Sequence, residues 1–260
     1  MSAPDDRFYH PRIAKRTDLG PTLWTIRLAV DGEFNFTAGQ YATLGVQDPE
    51  GRRRERPYSI VSSPYESEIE FFLELVPDGE LTPLLHKLQT GDELLVRRVP
   101  KGRFTLDTTS GRTNHFLVCT VTGVAPFVSY VRTLYRDWND GKFSGNHKLF
   151  LLNGASRSEE FGYCAELQKF AQEVPWFEYV PTVSRPWEDP QWAGERGRAD
   201  DVLRKYADQW GLTGANAVTY LCGHPEMVEH SKGMLKRIGF SKEFMKEEIY
   251  WVPTREAAAS

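Results

Sequence analysis

The spacing of apolar residues changes once along this chain, and that change limits the fold more than any single residue does. Up to about residue 107 the apolar positions recur every second residue, as in Trp24-Thr25-Ile26-Arg27-Leu28-Ala29-Val30. That is the period of a strand with one face in a core. Further strands are expected at 40–46, 56–62, 68–76 and 93–99. Turn residues separate them, among them Asp31-Gly32, Ala38-Gly39, Asp78-Gly79 and Thr90-Gly91-Asp92. One short helix fits 82–88. Five or six antiparallel strands with one helix suggest a small closed barrel.

The rhythm changes near Thr108-Thr109-Ser110-Gly111-Arg112. Beyond it, strands expected at 115–121, 148–155, 177–184 and 218–223 each precede a helical stretch, at 126–138, 159–172, 199–210 and 225–238. Gly239 stands where the last helix should stop. Strand-helix alternation requires a parallel sheet with helices on both faces. The expected organisation is a β domain at 1–108 and an α/β domain at 112–260 that ends in a tail.

With 260 residues, 40% of them hydrophobic, the chain can fill two ordinary cores. No stretch is long and apolar enough to span a bilayer, and Met1-Ser2-Ala3-Pro4-Asp5-Asp6 does not read as a secretory leader. Three dispersed cysteines, Cys119, Cys164 and Cys222, argue against a disulfide framework and for a reducing cytoplasm; they cannot form a four-thiolate cluster within this chain. A net charge of −4 argues against general nucleic-acid binding. No metal-ligand spacing and no Ser/His/Asp set is present.

Five short motifs carry chemistry. Arg56-Pro57-Tyr58-Ser59 places a cation, an aromatic ring and a hydroxyl on a strand, although 56 and 58 share one face and 57 and 59 the other. Read alone, it is equally an ordinary barrel strand. Gly79-Glu80-Leu81-Thr82-Pro83 reads as a turn entering the short helix, with Thr82 as N-cap and Pro83 at the first helical position. Thr122-Gly123-Val124-Ala125-Pro126 joins a strand to a helix without the G-x-G-x-x-G spacing. Arg157, Ser184-Arg185 and Gly197-Arg198 follow successive strands, where open parallel sheets bind ligands. Cys222-Gly223-His224-Pro225 closes the last strand of the series; by itself Cys222 reads as a small core residue.

Together and in this order, these motifs resemble the bacterial branch of the ferredoxin–NADP(H) reductase family, over nearly the whole chain. The resemblance implies an antiparallel FAD-binding β-barrel followed by a parallel-sheet α/β domain that binds NADP(H). It implies that Arg56, Tyr58 and Ser59 hold the FAD phosphate, ring face and ring nitrogen. Gly79, Leu81 and Thr82 would supply the pyrophosphate segment. Thr122 and Gly123 belong to the family's Thr-Gly-Thr-Gly-x-Ala-Pro pattern, with Val121 in place of its first glycine. Ser184, Arg185 and Arg198 would take the 2′-phosphate, and Arg157 a phosphate or the adenine. Cys222 and Gly223 would lie beside the nicotinamide, which puts Ser59, Tyr58 and Cys222 at the reacting centre, Cys222 by packing. In the tail, Trp251 is the candidate to stack on the adenine of FAD, and Ala258 is small enough to approach the flavin.

The implied enzyme is a monomeric ferredoxin–NADP(+) reductase that passes electrons between NADPH and ferredoxin or flavodoxin through FAD, first as hydride and then singly. Arg52, Arg53, Arg54, Arg97, Arg98 and Lys101 are the expected basic groups for the carrier. The alternatives are a flavin reductase or oxygenase reductase component on the same scaffold, and a non-catalytic redox sensor.

Overall fold

The structure, a computed structural model, describes residues 7–250. It divides into two compact units. One runs to Thr105 and takes in Ala125–Thr133; the other holds Leu106–Val124 and the chain from Leu134 onward.

The first unit contains β1 (Phe8–Tyr9), β2 (Arg12–Asp18), β3 (Leu23–Ala29), β4 (Tyr41–Gln47), β5 (Arg53–Ser59), β6 (Glu68–Glu74), α1 (Thr82–Lys87) and β7 (Leu95–Arg97). They form two antiparallel sheets, ordered β1-β7-β4-β5 and β2-β3-β6. The chain passes between them just after β5: Ile60 N still donates to Gln40 O, while Val61 N donates to Glu70 O of β6. Ile13 N donates to Asp92 O and Leu94 N to Pro11 O, which ties the other edges. The period-two reading is visible in register, since Trp24, Ile26 and Leu28 of β3 face Leu73, Phe71 and Ile69 of β6. All six are buried in one core with Ala42, Leu44 and Val96. Burying each large apolar side chain contributes about 1.5–3 kcal/mol.

The opposite face of β3 and β6 buries Leu23 and Phe72 and also a charged cluster. Glu70 is buried between Arg27 (2.9 Å) and Arg132 (2.7 Å), the latter on α2 (Ala125–Asn139). A buried carboxylate held by two guanidiniums keeps its charge satisfied. Ser129 Oγ donates to Ser62 O at 2.6 Å, and Thr133 Oγ1 to Ser63 Oγ at 3.0 Å. These bonds explain why the first half of α2 belongs to this unit.

The second unit adds β8 (Asn114–Thr120), β9 (Lys148–Ala155), α3 (Cys164–Glu173), β10 (Phe177–Val183), β11 (Glu195–Arg196), α4 (Ala199–Gln209), β12 (Ala217–Gly223), α5 (Pro225–Arg237) and β13 (Met245–Ile249). The strands form one parallel sheet in the order β11-β10-β9-β8-β12-β13. β9 and β12 are buried almost end to end, as a sheet covered on both faces requires. Gly239 ends α5 at φ 92°, with Gly239 N bonded to Lys236 O and Phe240 N to Leu235 O, the paired bonds of a Schellman stop.

Two expectations are corrected, and two strands come without one. Helix α3 begins at Cys164, not 159, because Glu160 accepts from Ser156 N and Asp189 from Ser158 N, which fixes a 3₁₀ turn over Ser158–Glu160. Thr82 caps no helix; its hydroxyl accepts from Val76 N (2.9 Å) and donates to Val76 O (3.1 Å), closing the loop between them. Strands β2 and β13 had no expectation, since β2 is a charged edge with a bulge at Ile13/Lys15 and β13 is a partly exposed edge reading Met-Lys-Glu-Glu-Ile. No helix among the described residues is long and apolar enough to cross a membrane.

Candidate functional site

In the first unit the candidate residues lie on β5 and on the loop leading into α1. Arg54, Arg56 and Tyr58 share one face of β5, opposite Val46, Leu44 and Ala42 of β4. Tyr58 packs its ring against the barrel core, and burial pushes its hydroxyl well above the ordinary phenol range, so the ring is a neutral aromatic surface. Ser59 is buried at the last ladder position, immediately before the chain changes sheets. Tyr58 and Ser59 are consecutive ladder residues, opposite Ala42 and Tyr41, so they lie on opposite faces of the strand at its end.

Arg54 and Arg56 both reach Glu80, each at 3.1 Å, one to each carboxylate oxygen. Arg54 also bonds Asp48 at 3.1 Å. Glu80 thus fastens the 76–82 loop to β5. Gly79 sits at the closure of that loop, where a Cβ would lie 3.0 Å from Val76 O and 3.2 Å from Thr82 Oγ1. Leu81 turns its side chain into the core and leaves only its backbone toward a ligand. The amides of Glu80, Leu81 and Thr82 have no partner among the described residues. Free amides and a glycine where a Cβ would be tight fit a pyrophosphate, with Arg54 and Arg56 beside them paired to Glu80.

In the second unit the candidates gather at the carboxyl edge of the sheet, where strand order reverses between β8 and β12. Two glycines allow the loops there to interlock. A Cβ on Gly123 would stand 2.3 Å from Cys222 O, and one on Gly223 would stand 2.4 Å from Thr120 Oγ1. Thr120 Oγ1 accepts from His224 N at 3.0 Å, and His224 Nδ1 accepts from Glu226 N, so His224 caps α5. Thr122 is buried in the 3₁₀ turn Val121–Val124. Val121 has φ 42° and is the one residue other than glycine with positive φ among the described residues. The backbone there keeps the conformation a glycine would adopt without strain. Cys222 is fully buried, and burial raises its thiol well above the ordinary range. A buried, neutral thiol fits a packing group rather than a nucleophile.

The arginines leave adjacent strands at this same edge. Ser184 N donates to Ala155 O and Arg185 N to Ser156 O, which extends the β9–β10 ladder by two residues. Gly197 N donates to Val183 O, which brings Arg198 beside them. Arg157 contacts Glu188 and lies 3.3 Å from Glu160; Arg185 lies 3.7 Å from Glu188. Arg198 is 3.3 Å from the buried Asp200, which also receives His230 at 3.1 Å. A cluster of guanidiniums at such an edge, with glycines that admit close backbone approach, fits the phosphates of a dinucleotide.

Glu80, Glu188, Asp200 and Thr120 are the side chains here that the motifs do not mark. Glu188 and Asp200 have a local signal, three residues after Arg185 and two after Arg198. Glu80 has none, because its partners lie 24 and 26 residues away. Trp251 and Ala258 fall outside the described residues.

The oxidoreductase FAD-binding domain family matches residues 11–106, and the oxidoreductase NAD-binding domain family matches residues 117–233. The ferredoxin–NADP reductase of Pseudomonas aeruginosa is 30% identical over 245 residues, covering 89% of this chain and 90% of that protein. The reductase component of phenol 2-monooxygenase from Pseudomonas sp. is 26% identical over 246 residues, covering 93% of this chain and 65% of that protein. The solved structure of a Neisseria gonorrhoeae ferredoxin NADP+ reductase with bound FAD and NADP has a TM-score of 0.82 at 24% identity, covering 95% of this chain and 100% of that one. The cofactors are FAD and a nicotinamide dinucleotide, and the activity is that of an FAD-dependent NAD(P)H oxidoreductase. The chain belongs to the ferredoxin–NADP reductase family.

Proposed function

We propose that the protein exchanges electrons between NADPH and a one-electron carrier, ferredoxin or flavodoxin. The observation that carries this reading is the 30% identity to a ferredoxin–NADP reductase across 90% of that protein. Bound FAD supplies the conversion between two-electron and one-electron chemistry. The protein's own residues bind and orient. Arg54, Arg56 and the amides of the 80–82 segment hold the FAD phosphates, Tyr58 presents its ring to the flavin, and the Ser59 hydroxyl bonds the ring nitrogen. Thr122, Gly123 and Gly223 admit the nicotinamide half, which packs beside Cys222. Ser184, Arg185 and Arg198 select the 2′-phosphate. No side chain has to move a proton as a general base.

A second reading, the reductase component of an oxygenase, is favoured by the 26% identity to the phenol 2-monooxygenase component. Anaerobic stopped-flow separates the two. Enzyme reduced with NADPH is mixed with purified ferredoxin, flavodoxin or an oxygenase. Rapid reoxidation by a carrier supports the proposal, while reoxidation by the oxygenase alone, with the carriers inert, rejects it. A yellow protein that NADPH does not bleach is not a reductase at all.

A further inference from the structure

The loop after β10 holds a carboxylate where an incoming phosphate would go. Glu188 lies in the 3₁₀ turn Pro186–Glu188, and its amide donates to Arg185 O at 3.0 Å. One carboxylate oxygen contacts Arg157 Nη2, and the other lies 3.7 Å from Arg185 Nη1. The carboxylate therefore bridges two arginines that leave neighbouring strands. The turn is anchored behind it, since Asp189 Oδ2 accepts from Ser158 N at 2.9 Å. Arg157 has a second acid in Glu160, at 3.3 Å. Beside this bridge Trp187 stands 72% exposed.

We infer that Glu188 is a built-in counter-anion of the 2′-phosphate subsite and lowers the protein's discrimination between NADPH and NADH. The inference rests on the reading that Arg185 takes the 2′-phosphate. A phosphate reaching Arg185 has to displace one oxygen of Glu188 and then lies beside a like charge. A bare ribose brings no charge, and its hydroxyl can donate to the same carboxylate. The acid thus opposes the phosphorylated nucleotide and tolerates the other. Partial exposure of the three side chains, 34% for Glu188, 36% for Arg157 and 49% for Arg185, keeps the effect moderate.

The test is calorimetric binding of adenosine 2′,5′-bisphosphate and of 5′-AMP to the FAD-loaded enzyme at fixed ionic strength. Glu188→Gln should tighten the bisphosphate by about three- to fivefold and leave 5′-AMP within about 1.5-fold. Glu188→Ala should gain as well, which excludes a new amide–phosphate bond as the cause. Thermal melts check that both variants are folded. If neither variant gains, or if both nucleotides shift equally, the inference is wrong. Arg185→Ala separates this failure from a deeper one. If it weakens the bisphosphate while the Glu188 variants do not gain, only the counter-anion idea falls. If it binds the bisphosphate as well as the wild type does, the 2′-phosphate reading falls and the inference falls with it.

Discussion

At the scale of single residues, the roles proposed for the buried polar side chains at the two candidate sites are positional and involve no proton transfer. Ser59 is buried at the end of a strand, and Cys222 is held as a neutral thiol. Ser59→Ala should keep FAD bound, because it leaves the proposed phosphate contacts, Arg54, Arg56 and the 80–82 amides, intact. It should slow flavin reduction by NADPH about 10- to 100-fold, the loss of one positioned hydrogen bond of roughly 1.5–3 kcal/mol. The measurement is the transient rate of flavin bleaching, and an unchanged rate removes Ser59 from the reacting centre. His115 offers a second test. It is buried between Tyr220 Oη (3.1 Å) and His147 Nδ1 (3.0 Å). Burial first, and the nearby His147 second, push it down to about 3. The folded protein keeps His115 neutral, while the unfolded chain protonates it below its ordinary value near 6.5. Its contribution is complete above that value and is lost as pH falls toward 3, at about 1.4 kcal/mol per pH unit. His115→Gln should therefore flatten the fall in unfolding free energy between pH 8 and pH 5 by about 2 kcal/mol, measured in urea. An unchanged fall would mean that other groups carry the acid sensitivity.

At the scale of elements, two glycines show different reasons for the same residue. Gly239 ends α5 at φ 92°, and a Cβ there would meet nothing within 4 Å, so only its backbone conformation matters. Gly123 has ordinary φ but no space against Cys222 O. Gly239→Ala should cost about 1 kcal/mol of stability and leave nucleotide binding intact. Gly123→Ala should cost about 1–3 kcal/mol or more and also weaken nicotinamide binding, because the two interlocked loops must part. Urea unfolding together with NADP+ titration checks both, and equal effects of the two variants would contradict the distinction. Sequence made such points legible where local chemistry decides the outcome. The strand at 148–155 was readable to its ends, because residues 149–155 are small or apolar apart from Asn153 and all are buried. Strand β2 was not, because only Ile13 faces a core and a bulge breaks the period. Thr82 looked like a cap from its neighbours, but a bond to Val76, six residues away, won. Glu80 was invisible, because its role exists only once β5 and the α1 loop are adjacent. That the glycines and arginines after the parallel strands gather at one edge was readable, since a sheet of this kind puts every strand end there.

At the scale of the whole molecule, charge bears on how a carrier would dock. The sequence offers an arginine cluster at 52–54 and 97, but the folded protein interleaves it with acids. Arg52 bonds Asp48 (2.9 Å) and Glu50 (3.0 Å), Arg54 bonds Asp48 and Glu80, and Arg97 bonds Glu55 at 2.7 Å. Arg53 lies 3.7 Å from Glu55 and over the ring of Phe8. These arginines are largely neutralised, and reversing Arg54 would also disturb the loop that Glu80 fastens. Lys101 and Arg103 are exposed and have no ion pair among the described residues. They are the better candidates to meet an acidic carrier in a protein whose net charge is −4. The double variant Lys101→Glu with Arg103→Glu should slow carrier reduction roughly 3- to 10-fold at low salt, with the difference closing as salt rises. Bleaching by NADPH should not change, because neither residue belongs to the two sites. Paired measurements of carrier reduction and flavin bleaching across a salt series decide the matter. A double variant that reduces the carrier at the wild-type rate and with the wild-type salt slope would remove this edge from the interface and return attention to Arg98.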